Sequence, residues 1–342
     1  MRSPFASRCD GPPNRTPSRR LRLRCSPVSD LAAIGLLVLA IVLIVVGAEM
    51  FFAGLLRAAG ALGVAPFAIV VVISGLEIEN VAAGIAANAS GLPGAAAGTF
   101  LGGTTFLALG VSGLGALIAP IRAELPGRVL VWTAVSPLPL VALSLDGELS
   151  RLDGGLLVAW FGLALVAVVR AGRSLLSPED AQPKPAAGGE ARGFARALAP
   201  LVGGVALLGA GGEGLGEGIR RVVERLGVSQ TLLGNTVIAA GVEGEEVARI
   251  AVPARRGRGD IALGNIVGTI VHFVALNAGV IALVKPLELD ADTLHLHLPV
   301  AVAATSTLCV VLTIRSGLGR AEGAALLALY AAYVGASVSV GV

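Results

Sequence analysis

The chain has 342 residues, of which 55% are hydrophobic and 14% charged, and its mean hydropathy is +0.83. A soluble domain of this size cannot hide that many apolar side chains, whereas a bilayer accepts them on every face, so the class is a polytopic helical membrane protein. The net charge of +3 comes from basic residues scattered over short loops; no stripe of them tracks phosphates, which excludes nucleic acid as a partner.

Residues 1–28 are basic, Pro-containing and without apolar periodicity, and read as a disordered tail. Ser18-Arg19-Arg20 precedes an apolar run, yet no cleavage site follows, so a solvated tail is preferred over a signal. Apolar runs follow at about 31–56, 65–89, 94–119, 128–145, 153–170, 197–222, 230–252, 261–285, 297–314 and 321–341. Each is close to the roughly 20 residues that a helix needs to cross a bilayer. The Pro/Gly-rich, charged segment 171–193 reads as a cytoplasmic linker between two five-helix halves, 29–170 and 194–342. Cys9, Cys25 and Cys309 have no metal-ligand spacing. Lysine occurs only at Lys184 and Lys285 while Arg, Gly and Ala abound, a bias that suggests a high-GC bacterial genome and a cell (cytoplasmic) membrane.

The two halves repeat one another. Gly75-Leu76-Glu77-Ile78-Glu79-Asn80 stands 166 positions before Gly241-Val242-Glu243-Gly244-Glu245-Glu246, and the same spacing pairs Gly91 with Gly257, Gly98 with Gly264, Gly113 with Gly279 and Pro120 with Pro286. The first spans correspond at 164, matching Gly47-Ala48-Glu49 and Arg57 with Gly211-Gly212-Glu213 and Arg221. Five spans is an odd number, so the second copy enters the membrane from the opposite side, the plan of secondary transporters with a site at the repeat interface. With the N-terminus outside, the inside loops collect most of the arginines, including Arg255, Arg256 and Arg258, while the outside carries Glu288, Asp290 and Asp292, as the positive-inside rule requires. The tail, with its own arginines, is the exception.

Carboxylates at membrane depth are costly and mark ion paths. On a regular helix Glu77 and Asn80 share one face, as do Glu243 and Glu246, while Glu79 and Glu245 point elsewhere. If the two helices cross at the midplane, Glu77, Asn80, Glu243 and Glu246 converge, with hydroxyls from Thr104, Thr105 and Thr269 behind them. Such an oxygen set suits a hard cation. Gly75, Gly241 and Gly244 loosen the helix and free backbone carbonyls. Clustered acids in a low dielectric cannot all ionise without a cation, so protons and metal compete for the same oxygens. Glu49 and Glu213 are expected to cap a path or to pair with Arg57 and Arg221, in a structural or gating role. Glu217 has no counterpart in the first repeat and reads as structural. His295 and His297 read as a wet interface rather than a site.

At these residues the chain resembles the calcium/cation antiporter superfamily, whose sodium/calcium exchangers carry two inverted repeats. The likeness covers about residue 31 to the C-terminus and is strongest in Arg256-Gly-Arg-Gly-Asp260-Ile-Ala-Leu-Gly264-Asn265-Ile-Val-Gly268-Thr269. It implies an all-α sodium/calcium exchanger-like fold of about ten transmembrane helices, with ion-site motifs at 75–106 and 241–272. The family's G-T-S-x-P-E falls on Gly75–Asn80 and Gly241–Glu246, which sets its serine on Glu77 and Glu243, its proline on Glu79 and Glu245, and its ion-binding glutamate on Asn80 and Glu246. The serine of the next span falls on Gly103 and Thr269, and a further polar ligand on Leu107 and Phe273, with His272 adjacent. The resemblance implies exchange of Ca²⁺ or a similar cation for Na⁺ or H⁺, with no cofactor, no catalysis, and inorganic cations and the bilayer as partners. A monovalent Na⁺(K⁺)/H⁺ exchanger, an intramembrane metal-dependent enzyme and a transport-dead subunit are the competing readings.

Overall fold

The computed structural model describes residues 27–62, 66–73, 78–89, 91, 93–172, 198–211, 213–214 and 244–340. The linker and most of the tail therefore lie outside the described residues. The chain forms helices α1 (Pro27–Leu62), α2 (Pro66–Ile73), α3 (Ile78–Ala89), α4 (Pro93–Ile118), α5 (Gly127–Leu143), α6 (Arg151–Ala171), α7 (Leu198–Gly211), α8 (Gly244–Arg255), α9 (Gly259–Val284), α10 (Thr293–Arg315) and α11 (Arg320–Val340). Six of them, α1, α4, α6, α9, α10 and α11, are long and apolar enough to cross a membrane. Two of the sequence readings shift. α1 begins at Pro27, inside the segment read as tail. Of the run 65–89, α2 and α3 are described, and residues 74–77 between them lie outside the described residues. α5 is interrupted at Ser136-Pro137, where proline lacks the N–H that the helix ladder needs.

The duplication is carried into the elements residue for residue. α3 and α8 correspond at 166, as do α4 and α9, while α6 and α11 correspond at 169. α3 turns into α4 through Gly91 (φ 77°), and α8 turns into α9 through Gly257 (φ 72°); these are left-handed conformations that glycine adopts without a Cβ clash. α4 carries a π-helical turn at Phe106–Val111, and α9 one at His272–Asn277. Wide turns of this kind often accompany functional positions in a helix. In α4 the Ser112 hydroxyl donates to the Leu107 carbonyl five residues back (2.8 Å).

Equivalent helices run in opposite directions. The start of α9 meets the chain just beyond the end of α4, since a Cβ on Gly259 would lie 2.4 Å from the Arg122 carbonyl, and the start of α4 meets Asp290, just beyond the end of α9. Four two-residue strands, β1 (Ile121–Arg122), β2 (Glu148–Leu149), β3 (Leu287–Glu288) and β4 (Gly317–Leu318), pair antiparallel as β1 with β4 and β2 with β3. β1 is the equivalent of β3, and β2 of β4. One pair therefore becomes the other when the repeats are exchanged, and both pairs join the two copies.

α4 and α9 form the centre. Their most apolar windows are 72% and 83% buried, against 22% and 11% for α6 and α11, which line the periphery. Outward-facing Val38, Val42 and Val45 on α1 and Leu152, Leu156 and Leu163 on α6 are exposed, as lipid-facing side chains should be. Close crossings are made by glycine. Gly154 on α6 lies against the Gly279 carbonyl, Gly323 on α11 lies against that of Gly113, and Gly47 and Gly204 bring α1 and α7 into backbone contact. Small residues at such crossings let van der Waals packing hold helices together where lipid supplies no hydrophobic drive. Asn88, at the end of α3, is buried and donates to the carbonyls of Lys285 (2.8 Å) and Pro286 (3.4 Å), so the Asn88-Ala89-Ser90 sequence is spent on packing.

Candidate functional site

The second-repeat glutamates open α8. Glu245 and Glu246 sit in its first turn, where the unsatisfied N–H groups and the helix dipole favour negative charge. Both are buried, Glu246 completely. Arg249 lies one turn further along. One of its guanidinium nitrogens donates to Glu246 Oε1 and the other to Glu245 Oε1 at 2.5 Å. Arg249 thus spans the two helix faces that would otherwise separate the acids, and the expectation that Glu245 points away from Glu246 gives way to a shared partner. From α1, the Phe51 ring faces the guanidinium at 5.8 Å, a distance at which a ring quadrupole attracts a cation. The second carboxylate oxygen of Glu246 accepts from Asn265 Nδ2 on α9 at 2.5 Å.

Asn265 begins a polar stripe. Asn265, Thr269 and His272 follow at spacings of four and three, which places them on one face of α9. All three are fully buried, and Asn265 Oδ1, Thr269 Oγ1 and His272 Nε2 have no hydrogen-bond partner among the described residues; the same holds for the side-chain nitrogen and oxygen of Asn277. His272 Nδ1 lies 2.7 Å from the Gly268 carbonyl. A neutral ring oriented in this way donates from Nδ1 and keeps a lone pair on Nε2. The ring meets Phe161 edge-on at 4.6 Å and lies beside the Val72 backbone at the end of α2. The stripe therefore runs from the carboxylates of the second repeat toward Val72, on the last turn of α2 in the first.

On α4, Thr104 and Thr105 are fully buried and donate to the carbonyls of Phe100 (2.6 Å) and Leu101 (2.9 Å). Their hydroxyl hydrogens are thereby used, and oxygen lone pairs are left to accept. Where the resemblance would place ligands at Gly103 and Phe273, the two positions instead fill one another: a Cβ on Gly103 would lie 2.9 Å from the Phe273 ring. An apolar contact occupies that corner of the helix crossing.

Asn80 lies half-buried in the first turn of α3. Glu79 is on the same turn, where only its backbone is described. Glu77 and Glu243 lie outside the described residues, as do Gly75, Gly241 and Glu217. Among the described residues no three His, Cys, Asp or Glu side chains come together to hold a metal. Glu49 pairs with Arg256 of the basic hairpin, not with Arg57 as the sequence suggested. The expected partner of Glu213, Arg221, is outside the described residues. His295 approaches the Ala291 carbonyl and His297 the Tyr333 hydroxyl, each at 2.8 Å, away from the centre. The reading by motif missed Arg249 and Asn265. Arg249 had a signal, because it stands three and four residues after two buried glutamates, a spacing at which helix side chains meet.

The sequence pattern of the family described as sodium/calcium exchanger protein matches residues 32–170 and 196–339, both halves of the chain. The chain belongs to that family. CaxA of Alkalimonas amylolytica is 29% identical over 313 residues, covering 86% of this chain and 94% of its own. Inner membrane protein YrbG of Escherichia coli is 30% identical over 285 residues, covering 76% and 82%. Among solved structures the sodium-calcium exchanger NCX_Mj superposes with a TM-score of 0.75 at 23% identity, over 90% of this chain and 99% of that one. The exchanger fold of two inverted helical repeats is thus common to both.

Proposed function

We propose that the protein is a secondary active cation antiporter that exchanges Ca²⁺ or a similar cation for Na⁺ or H⁺ by alternating access. The observation that carries this reading is the fully buried Glu246 carboxylate, bonded to Asn265 where α8 meets α9, the central helix of an inverted-repeat exchanger fold. One guanidinium faces the two adjacent carboxylates of Glu245 and Glu246, and the negative charge left at that depth is costly unless a cation or proton offsets it. The cation oxygens in this reading are those of Glu77, Asn80, Glu243, Glu246, Thr104 and Thr269, with Glu79, Glu245, Thr105 and His272 around them. Protons and cation compete for these groups, so one load is bound at a time and the two fluxes are coupled. Membership of the sodium/calcium exchanger family supports a transporter rather than an enzyme. Loop charges support an N-terminus outside, with the Arg255–Arg258 hairpin on the cytoplasmic face of the membrane.

A monovalent Na⁺(K⁺)/H⁺ exchanger is the second reading. It is favoured by two features: Arg249 already supplies a positive charge to Glu245 and Glu246, and the Gly103–Phe273 contact removes oxygens that a divalent ion would use. Purified protein in liposomes, given an imposed Na⁺ or H⁺ gradient and traced with ⁴⁵Ca²⁺ or ²²Na⁺, separates the two. Glu246→Gln is expected to lower exchange by about 100-fold, since the cation then loses a charged oxygen, about 1.5–3 kcal/mol for a bond to a charged group, and every 1.4 kcal/mol is about tenfold. Absence of gradient-driven flux for every cation tried overturns the antiporter reading.

A further inference from the structure

The geometry points to Arg249 as a tethered counter-cation that sets the net charge of the transport site, so that the protein binds a cation of one positive charge fewer than its glutamates would otherwise take. The inference rests on the antiporter reading and specifies the charge class of the cargo. Arg249 is itself buried, with 7% of its side chain exposed, and it holds two carboxylates that are 6% and 0% exposed. A guanidinium cannot leave the protein or lose its proton in this setting. It therefore competes permanently for the oxygens that a mobile cation would occupy.

Comparison of the repeats gives the charge balance. Glu245, Glu246 and Arg249 of α8 correspond to Glu79, Asn80 and Ala83 of α3. The second copy carries one more acid, at the Asn80 position, and one more base, at the Ala83 position, so these two sets of three residues have the same net charge of one negative unit. The extra acid and the extra base bond each other in the structure. On the first copy the Ala83 position is exposed, and no base is present there. The arginine thus accompanies the added carboxylate and cancels it.

Three variants test this by binding of ⁴⁵Ca²⁺ and ²²Na⁺ to the purified full chain, with flux in liposomes measured beside it. Arg249→Ala uncovers one negative charge and is expected to raise Ca²⁺ affinity at least tenfold. Glu246→Asn removes one negative charge while Arg249 stays bonded to Glu245, and is expected to lower affinity for every cation at least tenfold. The double variant Glu246→Asn/Arg249→Ala gives α8 the charge pattern of α3 and is expected to restore wild-type affinity and ion preference to within threefold. If Arg249→Ala binds Ca²⁺ no better than wild type, or the double variant fails to recover from Glu246→Asn alone, the inference is overturned. Should Arg249→Ala not survive purification, the double variant and Glu246→Asn decide between the same two outcomes. Binding that follows the charge with no flux in any variant upholds the role of Arg249 and overturns the exchange reading instead.

Discussion

At one crossing Ile281 of α9 fills the space beside Gly84 of α3, and at its mirror crossing Ile250 of α8 fills the space beside Gly115 of α4. The two crossings exchange when the repeats do, yet both isoleucines come from the second repeat and both glycines from the first, so knob and hole change places while the filled volume is kept. One turn away the likeness stops. Asn265 reaches across to Glu246, whereas its equivalent Thr99 donates back to its own helix at the Ala96 carbonyl, and Arg249 faces two acids where Ala83 faces none. Apolar packing has kept the two-fold relation because a close-packed crossing tolerates little change of volume. Charge has left it, because a buried carboxylate is relieved by any partner that brings the opposite sign. The scaffold and the centre of this protein thus obey different constraints, and the boundary between them falls within α8.

The strongest test of the shared scaffold is the paired removal of its knobs. Ile250→Ala and Ile281→Ala are each expected to cost about 2–5 kcal/mol, the range for truncating a fully buried isoleucine, and to agree closely in unfolding measured by steric trapping in bilayers. A large difference between them would break the equivalence. Next, Gly154→Ala and Gly323→Ala drive a methyl to within 2.7 and 2.8 Å of a carbonyl on the facing helix. Overpacking there is expected to cost about 1–3 kcal/mol in each case, read as equal drops in thermal midpoint in detergent.

Smaller effects sharpen the contrast at the helix starts. Asp290 Oδ1 accepts from the Thr293 amide at 2.7 Å, and hydrogen bonding from Thr293 holds its carboxyl below the ordinary value of 3.8. Because the folded pKa lies below the unfolded one, the cap is fully present above the ordinary carboxylate range and is lost as pH falls through the lowered value. Asp290→Ala is expected to cost about 1 kcal/mol near neutral pH and less in acid, whereas α5 starts at the N-cap Pro126 with no side-chain cap there, and Glu124→Ala, at the equivalent position, should shift stability by no more than about 0.5 kcal/mol. Least of all, Glu49→Gln removes an ion pair whose side chains are 42% and 51% exposed. The expected change is about 0–1 kcal/mol and shrinks further in salt.

Much of this architecture was legible in the sequence because glycine, proline and chain length are read locally. The spacing of 166 located α3 with α8 and α4 with α9 to the residue, and the odd count of spans anticipated their opposite directions. The π-helical turns were not legible, because Phe106–Val111 and His272–Asn277 share register but little residue chemistry. Nor were the strand pairings, since two residues carry no periodicity and the partners lie far apart in the chain. At the centre, the motif singled out Glu246, Thr104, Thr269 and His272, and all four side chains are fully buried. Arg249 lies three residues beyond the Gly241–Glu246 motif, and only the turn of α8 brings it to the two acids. For Glu49 the sequence leaves open capping a path or pairing with Arg57 of its own helix; its partner in the structure is Arg256, beside the turn at Gly257.

The two-residue strands also bear on how the molecule is made. Ile121 pairs with Leu318, and Leu149 with Leu287, so neither strand of the first copy finds its partner until the second copy has been synthesised. A nascent first copy in the bilayer is therefore expected to carry free backbone edges that the second copy closes.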